Sequence, residues 1–281
     1  MRALREELAE ALGGEVRSLR RLGGGEIGDA WRVELEAGRL AFVKTREGAG
    51  VEEFALEAAG LSWIAEPGAL RVPEVLRCGE RFLALEWIEA GAALSSAGEA
   101  ELGRGLAAIH EAGAAAFGGP QALRIGALAL PNASCAGWAE FYAERRLRPL
   151  IGLARLAADE RAPISRVCDR IDDFAGPPER AARLHGDLWR GNVLAGRVDG
   201  RPWLIDPAAY GGHREVDLAM LALFGGLSNR VAGAYDERFP LADGWRERLE
   251  LWQIFPLLVH AALFGGGYGT EAARAARRYV G

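Results

Sequence analysis

The chain has 281 residues, half of them apolar, and a formal net charge of -5 at pH 7 from 34 basic and 39 acidic side chains. That length allows one large domain or two lobes with a sizeable core, and the acidic balance gives no reason to expect nucleic acid or an anionic membrane as a partner. Three widely spaced cysteines, Cys78, Cys135 and Cys168, form no CxxC pair, which argues against structural zinc and a disulfide framework and for inert thiols. The charged start Met1-Arg2-Ala3-Leu4-Arg5-Glu6-Glu7 lacks the apolar core of a signal peptide. No apolar run approaches the roughly 18 residues that would span a membrane, so the cytoplasm is the expected compartment.

Residues from Arg2 to about Leu12 predict a short amphipathic helix, with Leu4, Leu8 and Leu12 at spacing four and Gly13-Gly14 as its stop. Val16–Leu22 reads as a strand and runs into a glycine cluster that includes Gly23, Gly24 and Gly25. A second strand over Trp31–Glu36, a turn at Ala37-Gly38 and a third strand over Leu40–Thr45 complete an antiparallel meander. The glycine cluster fits a plain hairpin turn. It also fits a loop whose backbone N–H groups lie over phosphates, with Gly24 and Gly25 as the cofactor-binding candidates. Lys44, the only lysine among the 34 basic residues, ends the third strand and is placed to reach those phosphates.

Val51 to about Ala65 predicts a helix with Phe54, Ala58, Leu61 and Ile64 on one face. A carboxylate on this helix can pair with Lys44 and aim it at a nucleotide. Glu52 and Glu53 compete for that role, but Glu57 has apolar residues three before and four after it and is favoured. Strands over Val72–Gly79 and Phe82–Ile88 bring the sheet to five. Gly91 and the Ala/Ser-rich run to Gly98 then read as a hinge. Backbone groups of Glu86 and Ile88, beside that hinge, suit the adenine edge. The chain is therefore divided at residue 88, into a nucleotide-binding lobe over 1–88 and a catalytic and substrate-binding lobe over 89–281.

Beyond residue 98 the pattern is helical. One helix carries Leu102, Leu106 and Ile109 and ends near His110, a second runs from Trp138 to about Ala158, and a third occupies 159–174. Arg145, Arg146 and Arg148 read as a solvated or ion-paired face, or as contacts to substrate or phosphate. The stretch Leu184-His185-Gly186-Asp187-Leu188-Trp189-Arg190-Gly191-Asn192 comes next, then a hairpin from Val193-Leu194 to Trp203-Leu204-Ile205, then Asp206. From Asp217 to Tyr279 the chain reads as helices interrupted by Gly225-Gly226 and Gly265-Gly266-Gly267.

An Asp, an Asn five residues on, and an Asp after a strand form the arrangement that serves metal-bound nucleotide in kinase-like phosphotransferases. Asp187 would accept or orient the acceptor hydroxyl. Asn192 and Asp206 would hold Mg²⁺ through oxygen. His185-Gly186-Asp187 alone could be a tight turn; with Asn192, Asp206 and Lys44 all present, the phosphotransferase reading prevails. Trp189 offers an aromatic face to the C–H face of a sugar, with a core tryptophan as its alternative. His213 is a second substrate-binding candidate. Asp217 is expected to support the catalytic loop by hydrogen bonds.

With these residues in hand the sequence resembles the fructosamine kinase (ketosamine 3-kinase) family of the protein-kinase-like superfamily. The resemblance rests on Leu184-His185-Gly186-Asp187-Leu188-Trp189 with Gly191-Asn192, and on Ile205-Asp206-Pro207-Ala208. It continues through Tyr210 to Met220, Phe141 to Leu147, and Phe264-Gly265-Gly266-Gly267-Tyr268. Arg190 stands where the family often has a small residue, and Ala262 where it has Asn. The resemblance implies an α+β bilobal fold, with a small N-lobe of five antiparallel strands and one main helix, and a larger, mostly helical C-lobe. It implies ATP and Mg²⁺ as cofactors and transfer to the C3 hydroxyl of a ketosamine, free or on a glycated protein. A kinase-like enzyme for another hydroxyl, on an aminoglycoside or amino alcohol, is the competing reading.

Overall fold

The computed structural model describes residues 2–23, 29–46, 51–119 and 122–281. Helix α1 (Arg2–Leu12) leads into β1 (Val16–Leu22), β2 (Asp29–Leu35) and β3 (Leu40–Thr45). Helix α2 (Val51–Ala65), β4 (Val75–Cys78) and β5 (Phe82–Glu86) follow. The five strands pair antiparallel in the order β1-β2-β3-β5-β4, as the alternating pattern predicts.

Strand residues two apart share a face. Trp31, Val33, Ala41, Val43, Phe82 and Ala84 therefore lie on one side of the sheet, where they pack with Leu8 of α1. Leu83 and Leu85 lie on the other side with Phe42, against Phe54, Ala58 and Leu61 of α2. Lys44 shares the face of Phe42, so the period of β3 alone delivers its ammonium to α2.

The rest of the chain is mostly helical: α3 (Ser96–Ala112), a small hairpin of β6 (Leu123–Ile125) and β7 (Leu128–Leu130), α4 (Trp138–Phe141), α5 (Arg148–Leu153) and α6 (Ala158–Asp169). Four short strands follow, β8 (Ala182–Leu184), β9 (Val193–Ala195), β10 (Pro202–Leu204) and β11 (Tyr210–Gly212). Helices α7 (Glu215–Leu223), α8 (Asn229–Arg238), α9 (Trp245–Phe264) and α10 (Tyr268–Val280) complete it. Ser95 caps α3, its hydroxyl accepting from the Gly98 N–H at 3.0 Å.

The β9–β10 hairpin joins the sheet region to the helical region. Gly91 N–H donates to Ala195 O (2.7 Å), Arg197 N–H to Glu89 O (2.8 Å) and Leu204 N–H to Arg71 O (2.9 Å). The segment after Ile88 is thus laced to the hairpin that leads to Asp206. Arg183 of β8 adds a second tie, donating to Trp63 O (2.6 Å) and Glu66 Oε2 (2.5 Å) at the far end of α2.

The predicted long helix from Trp138 is not one α-helix. Residues Tyr142–Leu147 form a π-helical turn between α4 and α5. Arg146, on the same face as the buried Tyr142 and Leu150, points inward, which corrects the expectation of a surface arginine cluster. Arg146 is fully buried, its guanidinium 4.4 Å from the Phe141 ring centre and 4.2 Å from that of Tyr210, and it donates to Pro131 O and Asn132 Oδ1. Cation–π contact and carbonyl acceptors take the place of a carboxylate. Arg148 remains on the outside, paired with Glu144 and Asp169. Of the three thiols, Cys168 is buried and pushed up to about 12 by that burial, whereas Cys78 is exposed. Among the described residues no helix is long and apolar enough to cross a membrane.

Candidate active site

Lys44 Nζ lies 2.7 Å from Glu57 Oε1 and 2.6 Å from Asp206 Oδ1, so residues 162 positions apart meet at one ammonium. Of the three acidic candidates on α2, Glu57 is the one that makes this pair. Burial works to lower the Lys44 ammonium, but the Asp206 and Glu57 carboxylates hold it above its ordinary value. Burial pushes the Glu57 carboxyl up against the pull of Lys44.

Asp187 follows β8 through a sharp turn. Gly186 has φ of +80°, and a Cβ there would lie 1.9 Å from Ala208 O, so only glycine fits this approach to the Asp206 segment. His185 Nδ1 accepts from the Asp187 N–H (3.3 Å), so Nε2 carries the proton and donates to Ile205 O (2.9 Å). Burial lowers the His185 imidazole, consistent with this neutral form. One histidine therefore fixes the backbone of the loop and of the strand that ends before Asp206.

Asn192 lies in a 3-10 turn after Trp189. Its Nδ2 donates to Asp187 O (2.8 Å) and Asp187 Oδ2 (3.1 Å). Both partners accept, which assigns the amide orientation and leaves Asn192 Oδ1 outside these bonds. Ile205 N–H donates to Asn192 O at 3.1 Å, holding Asn192 and the approach to Asp206 together. Asp206 has φ of +57°, a left-handed conformation that Asp tolerates better than most residues. Its Oδ1 takes Lys44 and no hydrogen bond occupies Oδ2 among the described residues. The oxygens left over on Asn192 and Asp206 are the hard donors a Mg²⁺ ion takes.

Burial pushes the Asp187 carboxyl up to about 7, and the Asp206 charge adds to it, while the Asn192 hydrogen bond works the other way. Asp217 sits behind the loop, as expected of a supporting residue: its Oδ2 accepts from His185 N–H (2.7 Å) and its Oδ1 from Gly186 N–H (2.9 Å). Burial opposes its charge, but the His110 hydrogen bond and the two N–H donors hold its carboxyl below the ordinary range. His110 Nε2 lies 3.2 Å from Asp217 Oδ2, and its Nδ1 lies 2.7 Å from Tyr235 OH. No local pattern points to His110 or Tyr235, since their partners lie 107 and 125 residues away.

Trp189 is 41 % exposed, which removes the core-tryptophan alternative, and its ring lies over Gly191, where a Cβ would stand 2.2 Å from Cη2. His213 does not join this cluster. It is 3 % exposed, stacked on Trp252 (5.4 Å between centroids) beside Trp138, and burial lowers its imidazole. Its neighbour Glu215 explains the packing: this buried carboxylate takes two bonds from Arg248 and one from Trp252 Nε1. His213, a sequence candidate for substrate, is thus placed in the wall of the aromatic core and not beside Asp187.

Glu86 pairs with Glu74 through its backbone N–H and its carboxylate (2.9 and 3.2 Å). Among the described residues the N–H and C=O of Ile88 make no hydrogen bond. Gly24 and Gly25 lie outside the described residues.

The model of the fructosamine kinase family matches residues 1–280. The "probable ketoamine kinase" of Synechocystis sp. is 34 % identical over 263 residues, covering 92 % of this chain and 88 % of that protein. The chloroplastic "protein-ribulosamine 3-kinase" of Arabidopsis thaliana is 33 % identical over 276 residues, covering 94 % and 83 %. The crystal structure of "putative fructosamine-3-kinase" from Thermobifida fusca superposes with a TM-score of 0.91 at 41 % identity, covering 99 % of each chain.

Proposed function

Because the chain belongs to the fructosamine kinase family, we propose that it phosphorylates the C3 hydroxyl of ketosamines with ATP, using the Lys44–Glu57–Asp187–Asn192–Asp206 cluster. The observation that carries this reading is the convergence of those five side chains from β3, α2, the loop after β8 and the end of β10. Glu57 orients Lys44, whose ammonium takes the α- and β-phosphates. Residues 1–88 form the nucleotide lobe and 89–281 the catalytic lobe, with the unpaired N–H and C=O of Ile88 and the C=O of Glu86 taking the adenine edge.

Asp187 receives the acceptor hydroxyl. Asn192 occupies one of its carboxylate oxygens, which leaves the other for the substrate. A carboxyl near 7 accepts a hydroxyl proton at neutral pH more readily than an ordinary aspartate. Asn192 Oδ1 and Asp206 would hold Mg²⁺, which neutralises charge on the phosphates when bound. Trp189 takes the C–H face of the sugar. The acceptor is a sugar-amine, either free or on a glycated protein.

An ADP-release screen over fructosamine, ribulosamine, free sugars and aminoglycosides tests this. Ketosamines should be turned over with kcat/KM at least about a hundredfold above the free sugars and aminoglycosides. Preferential turnover of an aminoglycoside would replace the acceptor assignment while leaving the phosphotransferase assignment standing.

A further inference from the structure

Trp189 is the first of a run of rings that phosphoryl transfer does not use. Its indole stands edge-on to Phe224, at the end of α7, with centroids 6.1 Å apart. Phe224 meets His260 of α9 at 5.1 Å. His260 in turn meets Phe264, one turn further along α9, at 5.6 Å and Tyr268 at 5.0 Å. The two ends are open, Trp189 at 41 % and Phe264 at 48 % exposure, while Phe224, His260 and Tyr268 are half-buried between them. The His260 Nδ1–H donates to Pro256 O (2.8 Å), which fixes the ring in place. Beyond Phe264, a Cβ on Gly265, Gly266 or Gly267 would meet nothing within 4 Å, so this end of the strip has no wall.

Core aromatics are covered; these form a surface that begins at the catalytic loop and runs outward. Flat rings bury methylenes and attract an ammonium ion. In a ketosamine the amine nitrogen is carried on C1, two carbons from the C3 hydroxyl, and it is cationic at neutral pH. With the C3 hydroxyl at Asp187 and the sugar on Trp189, the nitrogen and whatever it carries leave the site along this strip. We propose that Phe224, His260 and Phe264 continue Trp189 as the subsite for the amine-borne substituent, and that they select ketosamines with an alkyl or aromatic stem over compact ones. This rests on the ketosamine assignment above.

The test compares the kcat/KM of two defined substrates, the fructose adducts of methylamine and of n-hexylamine. Wild-type protein should favour the hexyl adduct. Phe264→Ala, a truncation at an exposed position that the fold tolerates, should lower the hexyl-to-methyl ratio about tenfold, the scale on which a methylene or two changes specificity. Most of that change should appear in KM. Phe264→Leu should restore much of the ratio, and Phe224→Ala should lower it again. A wild-type ratio near one, or equal changes for both adducts in Phe264→Ala, would overturn the subsite while the ketosamine assignment stood. Turnover of neither adduct by wild-type protein would overturn both.

Discussion

Asp187→Asn should make the ligand-free protein more stable at alkaline pH and bring no such gain in acid. Burial beside Asp206 raises the Asp187 carboxyl from its ordinary 3.8 to about 7. The folded state therefore holds that proton more tightly than the unfolded chain. The contribution to stability is fully present below the unfolded value, falls as pH rises, and is gone above about 7. A difference of about three pH units amounts to about 4 kcal/mol between strong acid and pH 8. Between pH 5 and pH 8, wild-type protein should lose about 3 kcal/mol relative to the Asn variant. For a chain of this length that is a relative Tm shift of about 5 °C. Urea or thermal melts of both proteins without nucleotide or metal, at matched ionic strength, read it directly. A stability difference independent of pH, or one that favours wild-type protein more at pH 8 than at pH 5, would show that the carboxyl is not desolvated as described.

Lys44→Met should raise the KM for ATP by about tenfold or more, because the ammonium that Glu57 and Asp206 hold is lost; unchanged kinetics at limiting ATP would remove Lys44 from the nucleotide site. Trp189→Ala should raise the KM for a ketosamine far more than that for ATP, and equal effects on both would return Trp189 to a structural role. Glu215→Ala should destabilise the fold by about 3–5 kcal/mol, since it leaves the buried Arg248 guanidinium and Trp252 Nε1 without their acceptor. Denaturant melts check that value, and a loss under about 1 kcal/mol would contradict the packing.

The elements that read well from sequence are those with a strong period or a fixed local spacing. The meander, the α2 face that presents Glu57, and the five-residue step from Asp187 to Asn192 all belong to that class. Asp206 is legible because a hairpin of short, apolar strands returns the chain to the loop. The burial of His213 is not legible in the sequence because its environment comes from far along the chain. Three-residue β11 pairs with three-residue β8, too short for either to show alternation, and the turn after it enters a core built by Trp138 and Trp252. Arg146 lies four residues from Tyr142 and from Leu150, both buried, so helical spacing puts it on the inward face and only its charge argues for the surface. His110, Tyr235 and Arg183 act through partners on other elements, so their roles exist only once the chain is folded.

The phosphorylated product offers the most direct test of the central claim. Wild-type protein, ATP, Mg²⁺ and a ¹³C-labelled fructosamine should give a single product in which ³¹P–¹³C coupling places the phosphate on the C3 oxygen, and Asp187→Ala should give none at matched protein concentration. Phosphate on any other hydroxyl, or the same product at near wild-type rate from Asp187→Ala, would contradict the account.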